Sequence, residues 1–322
     1  MEVVQYEKKY LDKWEDLVAG SSNGTIFHTR RFLSYHSPDK FKDNSLLFFD
    51  DKKLIAVLPA ADITRDGTRT LWSHMGASYG GFVYNESLSI KHSFDLTQSF
   101  IDYSLREKFE KIVVTNVPVC YQSRYNQYLD FAFVKNGFNY LKREVTSVIT
   151  LNETEENVMK LIKPESRTSV RKAEKMGVVI KKSNDFEEYY NILKSNLAMR
   201  HNVQPAHTLD ELYLLKELFP QKIQLFGAYL KNKMIAGVIN FYCNEKTVLV
   251  FYISHNQEYQ QYRAVNLLFY TIMKDAISRG LEFLDFGLFT VNMDPNWGLG
   301  KFKESFGARG LLRDSFYLDL KY

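Results

Sequence analysis

The sequence predicts an α/β protein built from two tandem domains, each a mixed, mainly antiparallel sheet flanked by helices. Three observations carry this expectation. The chain has 322 residues, a length that points to two domains rather than one. The run Asp51-Lys52-Lys53-Leu54-Ile55-Ala56-Val57-Leu58 is matched in the second half by Lys231-Asn232-Lys233-Met234-Ile235-Ala236-Gly237-Val238. Both are polar turns entering an apolar strand with the same Ile-Ala step. The pattern downstream of each, a helix and then a short apolar strand, also repeats.

The elements follow in order. Ser45-Leu46-Leu47-Phe48-Phe49 and Leu225-Phe226-Gly227-Ala228-Tyr229-Leu230 precede the two turns, so each turn closes a β-hairpin. After the first comes a helical pattern from Phe94 to Phe109 and a strand at Ile112-Val113-Val114-Thr115. After the second comes a helix from Arg263 to Ser278, with Val265, Leu268, Phe269, Ile272, Ala276 and Ile277 on one face. Gly280 suits its C-terminal stop, and Phe283 to Phe286 form the next strand. A β run, Glu144 to Leu151, ends where an acidic helix start follows, which divides the chain into domains 1–151 and 152–322. The tail, 312–322, alternates like a strand and either joins the second sheet or crosses back to the first domain. Asn184, with Glu187 three residues on, reads as the cap of a helix running to Met199-Arg200-His201. Gly20-Ser21-Ser22-Asn23-Gly24 matches a nucleophile-elbow spacing, but an amphipathic helix precedes it where a strand is required, so it reads as a loop.

Composition narrows the class. Hydrophobic residues are 45% of the chain and charged residues 25%, the balance of a soluble globular protein with two cores. No apolar run reaches the ~20 residues that span a bilayer, and Met1 to Tyr6 lacks the features of a signal peptide. The two cysteines, Cys120 and Cys243, offer neither a disulfide framework nor a metal spacing, and fit a cytoplasmic protein. No site residue is assigned to a metal, and no phosphate-loop or dinucleotide fingerprint occurs. The net charge of +4 suits a phosphate-bearing partner without requiring one.

Several residues could carry chemistry. Lys163, Arg167, Arg171 and Lys175 recur at four-residue spacing and make a basic helical stripe, either a phosphate-binding surface or a solvated face. Arg200 lies at a helix C-terminus, where the dipole favours a cation. Lys303, between Phe302 and Phe306, is a partly desolvated cation suited to a developing oxyanion, or else an ordinary surface lysine. Asp285, at a strand end, is a base, an orienting carboxylate or a solvent-facing strand residue.

The runs Phe283-Leu284-Asp285-Phe286-Gly287 and Gly298-Leu299-Gly300-Lys301-Phe302-Lys303-Glu304-Ser305-Phe306-Gly307 resemble the C-terminal signature of the Fem-type aminoacyltransferases and their acyltransferase relatives. These carry two copies of the GNAT acyltransferase fold, whose element order the repeat also follows. Arg167-Thr168-Ser169-Val170-Arg171-Lys172-Ala173-Glu174-Lys175-Met176-Gly177-Val178 is similar to the opening of the second Fem-type domain. The resemblance implies two GNAT-like domains and acyl transfer to an amine. It assigns oxyanion stabilisation to Lys303 and phosphate holding to Arg200, Arg167 and Arg171. The family's threonine before that arginine is Leu197 here, and its first-domain phosphate lysine would fall near His36. The loop Ser73 to Phe82 resembles an acceptor-contacting loop, with Tyr79 as the contact.

The implied acceptor is a phosphate-bearing cell-wall precursor or sugar nucleotide, and the implied donor is an aminoacyl-tRNA. A lipid-linked acceptor would bring peripheral membrane contact. No cofactor is expected, the acyl donor being a co-substrate. Acetyl-CoA-dependent GNAT enzymes hold pyrophosphate on a Gly-rich loop at a helix N-terminus. The stretch here, Tyr259-Gln260-Gln261-Tyr262-Arg263-Ala264-Val265-Asn266, has no glycine, although Arg263 offers a cation. This favours a donor other than CoA. Two alternatives stand beside it: an acyl-CoA-dependent N-acetyltransferase acting on an amino sugar of surface polysaccharide, and a non-catalytic binding protein that has kept the duplicated fold.

Overall fold

The computed structural model describes residues 1–37, 39–201 and 204–320, with the side chains of residues 199–201 outside the description. The chain forms two compact units, Met1–Val145 with Leu311–Tyr322, and Thr146–Gly310.

The first unit opens with β1 (Glu2–Gln5), α1 (Leu11–Ala19) and α2 (Arg30–Leu33). The Gly20-to-Gly24 segment is indeed a loop after a helix, where the Ser21 hydroxyl donates to the Val18 carbonyl. Strands β2 (Lys42–Asp43), β3 (Leu46–Asp50), β4 (Lys53–Leu58), β5 (Ala61–Arg65), β6 (Thr68–Ser73) and β7 (Val83–Tyr84) follow. Then come α3 (Ile90–Arg106), β8 (Lys111–Thr115), α4 (Tyr128–Lys135) and β9 (Asn139–Thr150). One sheet has the order β1-β3-β4-β7, all antiparallel. In the other, β6 and β8 run parallel, and β5 and β2 continue outward from β6 antiparallel. Phe48, Phe82, Phe100 and Phe133 fill the core.

The second unit contains α5 (Pro164–Lys175), β10 (Val178–Ser183), α6 (Phe186–His201), α7 (Leu209–Leu218), β11 (Ile223–Leu230), β12 (Lys233–Tyr242) and β13 (Thr247–His255). It continues with α8 (Ala264–Ser278), β14 (Phe283–Leu288), β15 (Thr290–Val291), β16 (Asp294–Pro295) and α9 (Trp297–Glu304). The final strand of the chain is β17 (Arg309–Asp319), which from Leu311 onward belongs to the first unit. The sheet order β10-β11-β12-β13-β14-β9 is antiparallel except at β13–β14. Helix α8 is buried against this sheet and α5. Proline at the first turn starts α5, and Gly177, at φ +79°, ends it.

The repeat in the sequence is a repeat in structure. Both hairpins, β3–β4 and β11–β12, carry a register shift, opposite Phe48/Phe49 and Ala228/Tyr229, where the second strand has an extra residue, Ile55 in one and Ile235 in the other. Their turns need positive φ, at Asp51 and Lys52 in one and Lys231 in the other.

Two expectations are adjusted and one alternative is decided. The division between units falls at 145/146, inside β9, rather than at 151. A continuous strand has no compositional break to mark it. The tail returns to the first unit: Ser315 to Asp319 pair antiparallel with Thr115 to Lys111, and Phe316 is buried against Phe133. The cap of α6 is Asp185, whose carboxylate accepts from the Glu188 N–H at 2.9 Å, rather than Asn184. The Glu188 carboxylate accepts from the Met234 N–H instead of turning back to the cap.

Candidate active site

The second unit gathers its reactive groups at the end of β14. Strands β13 and β14 pair in parallel from Thr247↔Phe283 to Leu249↔Asp285. Beyond that, β13 runs on to His255 and β14 to Leu288 with no further pairing between them among the described residues. A register shift also interrupts β14 against β9 between Asp285 and Leu288, and Gly287 sits there at φ +73°, a conformation that favours glycine.

Asp285 and Lys303 hold this bend. Asp285 is fully buried. Its Oδ1 accepts from the Thr146 hydroxyl and, at 2.8 Å, from the Gly287 N–H. The carboxylate is thus turned into the bend and is not a solvent-facing strand residue. Lys303, on α9, is only 2% exposed, and its Nζ donates to the carbonyls of Gly287 and Leu288, each at 2.7 Å. Burial pushes its ammonium down to about 8, against the pull of the Asp285 carboxylate. Lys303 is therefore not a surface lysine. The α9 helix approaches closely because Gly300 faces Phe289, where an added Cβ would lie 3.2 Å from the ring. Asn296 caps the helix by accepting from the Leu299 N–H.

The remaining predicted residues lie elsewhere. Arg263, exposed, is the N-cap of α8 and holds the left-handed conformation at φ +55°. Arg167 is half-buried, and its Nε donates to the Ile162 carbonyl at 2.6 Å, so its guanidinium is partly committed to structure. Arg171 is exposed on the same helix, and Lys163 is that helix's N-cap. Arg200 lies on α6, with its side chain outside the described residues.

Tyr79 belongs to the first unit and is 1% exposed. Its hydroxyl pairs with that of Tyr121 at 2.9 Å, and the Arg313 guanidinium lies 4.6 Å from its ring centre. It is packed in that unit's interior, whereas the resemblance implied that it contacts the acceptor. The glycines of its loop also have structural work: an added Cβ at Gly80 would lie 2.2 Å from the His74 N. His36 packs on Tyr35 and Phe41, and burial pushes neighbouring His74 down to about 4. His74 is thus neutral near pH 7 and supplies no cation for a phosphate.

Sequence reasoning missed Thr146, because nothing local in the sequence links it to Asp285. It also missed that the partners of Lys303 are backbone carbonyls, which carry no sequence signal.

With this geometry in place, comparisons with known proteins add a name for the fold. Residues 164–295 match the family model described as an acetyltransferase (GNAT) domain. The match lies within the second unit and covers most of it. No curated protein matches the chain. The whole fold is similar to that of FemX, at 14% identity and TM-score 0.75, covering 99% of this chain and 98% of that one. It is also similar to a tandem GNAT protein from the clavulanic acid biosynthesis pathway, at 9% identity and TM-score 0.58, covering 99% and 98%. A third similar structure is the C-terminal domain of a protein assigned as a lysylphosphatidylglycerol synthetase, from Agrobacterium fabrum. It shows 12% identity and TM-score 0.62, covering 96% of this chain and 91% of that one. The expected tandem GNAT fold and the general expectation of acyl transfer hold. Among the described residues, no helix is long and apolar enough to cross a membrane.

Proposed function

We propose that this GNAT acyltransferase moves an aminoacyl group from aminoacyl-tRNA to an amine of a phosphate-bearing cell-wall precursor. The observation that carries the reading is Lys303, a buried cation fixed at the bend of β14 beside the point where β13 and β14 stop pairing. The edges left there present backbone N–H and C=O groups to an extended acyl or peptide chain. The acceptor amine attacks the donor carbonyl carbon, and the carbonyl oxygen becomes an oxyanion. An ammonium has three N–H donors. Two are directed at Gly287 and Leu288, and the third is assigned to the oxyanion. Collapse breaks the ester C–O bond, and the proton lost by the amine passes to the departing ribose hydroxyl. The ester is already activated, so orientation and charge stabilisation carry the reaction.

The donor assignment rests on the turn before α8. The turn carries Tyr259, Tyr262 and Arg263 where acetyl-CoA-dependent relatives are expected to have a glycine-rich phosphate cradle, and the two tyrosine rings pack together at 5.9 Å. Arg263, with Arg171 and Arg200, is assigned to phosphates of the substrates. FemX and a lysylphosphatidylglycerol synthetase domain share the fold, which is consistent with a cell-wall or lipid-linked acceptor.

A second reading, an acyl-CoA-dependent N-acetyltransferase acting on an amino sugar, draws on the acetyltransferase description of the matched family model. Thermal unfolding with and without excess acetyl-CoA separates the two. A ligand that binds only the folded protein adds about 2.7 kcal/mol of stability at a hundredfold excess over its dissociation constant. The tRNA reading expects no shift, and a saturable rise in midpoint would replace it with the CoA reading.

A further inference from the structure

Helix α4 is apolar on both faces. Leu129, Ala132 and Phe133 turn inward and are buried in the first unit. Tyr128, Phe131 and Val134 follow one another at three-residue spacing and are 47%, 60% and 47% exposed. Tyr125, just before the helix, is 70% exposed, and Phe94 of α3 extends the patch by meeting the Phe131 ring at 6.0 Å. A helix lying on a core ordinarily keeps its outer face polar. An outward cluster of aromatic and aliphatic side chains marks a surface that is covered in use.

The surrounding charges identify the cover. Residues 121–143 contain the cations Arg124, Lys135, Lys142 and Arg143 and one acid, Asp130. Asp130 accepts a hydrogen bond from the Asn116 side chain at 3.2 Å, and burial raises its carboxyl to about 6. In the ion pairs of this stretch the cation is the outer member. Side-chain exposure is 79% against 46% for Arg124 with Glu86, 43% against 4% for Lys142 with Glu144, and 42% against 14% for Arg143 with Asp314. Lys135 is exposed at the helix end. Arg124, just before Tyr125, and Lys135, just after Val134, are thus exposed cations at the two ends of the apolar patch. Two copies docking through it would face cation against cation, which opposes self-association.

We propose that this face of α4 seats the protein on the surface of an anionic phospholipid bilayer. Tyr125, Tyr128 and Phe131 enter the headgroup region, Val134 reaches the acyl boundary, and Arg124 and Lys135 meet lipid phosphates. Nothing in this depends on the acyl-transfer reading.

The test is sedimentation of the full chain with vesicles of phosphatidylcholine alone and of phosphatidylcholine mixed with phosphatidylglycerol. Binding is expected to the mixed vesicles and to weaken as salt is raised. Phe131→Ser with Val134→Ser should weaken it by about tenfold or more, from the apolar surface lost. Lys135→Glu should also weaken it, and both variants should keep the wild-type unfolding midpoint because these side chains are exposed. Absence of binding to the mixed vesicles overturns the proposal, as does undiminished binding by the folded double variant. A concentration-dependent dimer that the double variant abolishes would instead assign the face to a second copy of the chain.

Discussion

Lys303 is the residue on which structure and chemistry converge. Its partial desolvation was legible from the aromatic residues around it, and its candidacy as a site lysine came from the family resemblance, but its two carbonyl partners were not legible. Those partners change what a substitution does. Lys303→Ala removes a cation from the site and also leaves the Gly287 and Leu288 carbonyls without this donor. Besides lost turnover, a stability cost of about 1–3 kcal/mol is expected, measured by denaturant unfolding. The pH dependence has a definite sign. The folded-state value is lowered from 10.5 to about 8, so between these values the unfolded chain holds more protons. Stability contributed by this group should therefore rise as pH increases from about 8 towards 10.5. The difference between wild type and Lys303→Met, followed by unfolding across that range, isolates it. Turnover should move the other way, falling as pH rises through about 8, because the neutral amine loses its charge. An unchanged rate across that pH range would remove the cation from the mechanism.

At the scale of elements, alternation and turn chemistry located both hairpins, α3, α8 and β14 within a few residues. These segments are strongly periodic, and their caps and turns are local. The cap of α6 was displaced by one residue, because Asn184 and Asp185 are both good caps and only the bond to the Glu188 N–H decides between them. The second hairpin also depends on a close approach that no local pattern announces. Gly237 of β12 faces Tyr189 of α6, and an added Cβ would lie 2.4 Å from the ring. Tyr189 is fully buried, so it has little room to yield. Gly237→Ala should thus destabilise the second unit by about 1–3 kcal/mol, read from its unfolding midpoint in denaturant. A neutral result would mean that α6 shifts freely on the sheet.

At the scale of the whole molecule, duplication was legible and the path of the chain was not. Two hairpins with the same Ile-Ala step reveal a repeated fold, whereas a unit boundary inside β9 and a tail that returns to the first unit depend on long-range pairing. The tail's role is measurable. Phe316 is fully buried and its ring lies 5.4 Å from that of Phe133. Phe316→Ala should cost about 3–5 kcal/mol in the first unit, despite lying at the far end of the sequence. Loss confined to the second unit would contradict the assignment of the tail.

The central claim is acyl transfer that depends on Lys303. Its most direct test is a single-turnover assay with radiolabelled aminoacyl-tRNA and a nucleotide-linked cell-wall precursor, comparing wild type with Lys303→Ala. The account predicts labelled acceptor with the wild type and a loss of about a hundredfold or more in rate with the folded variant. Undiminished transfer by Lys303→Ala, or transfer from acetyl-CoA with none from aminoacyl-tRNA, would contradict it.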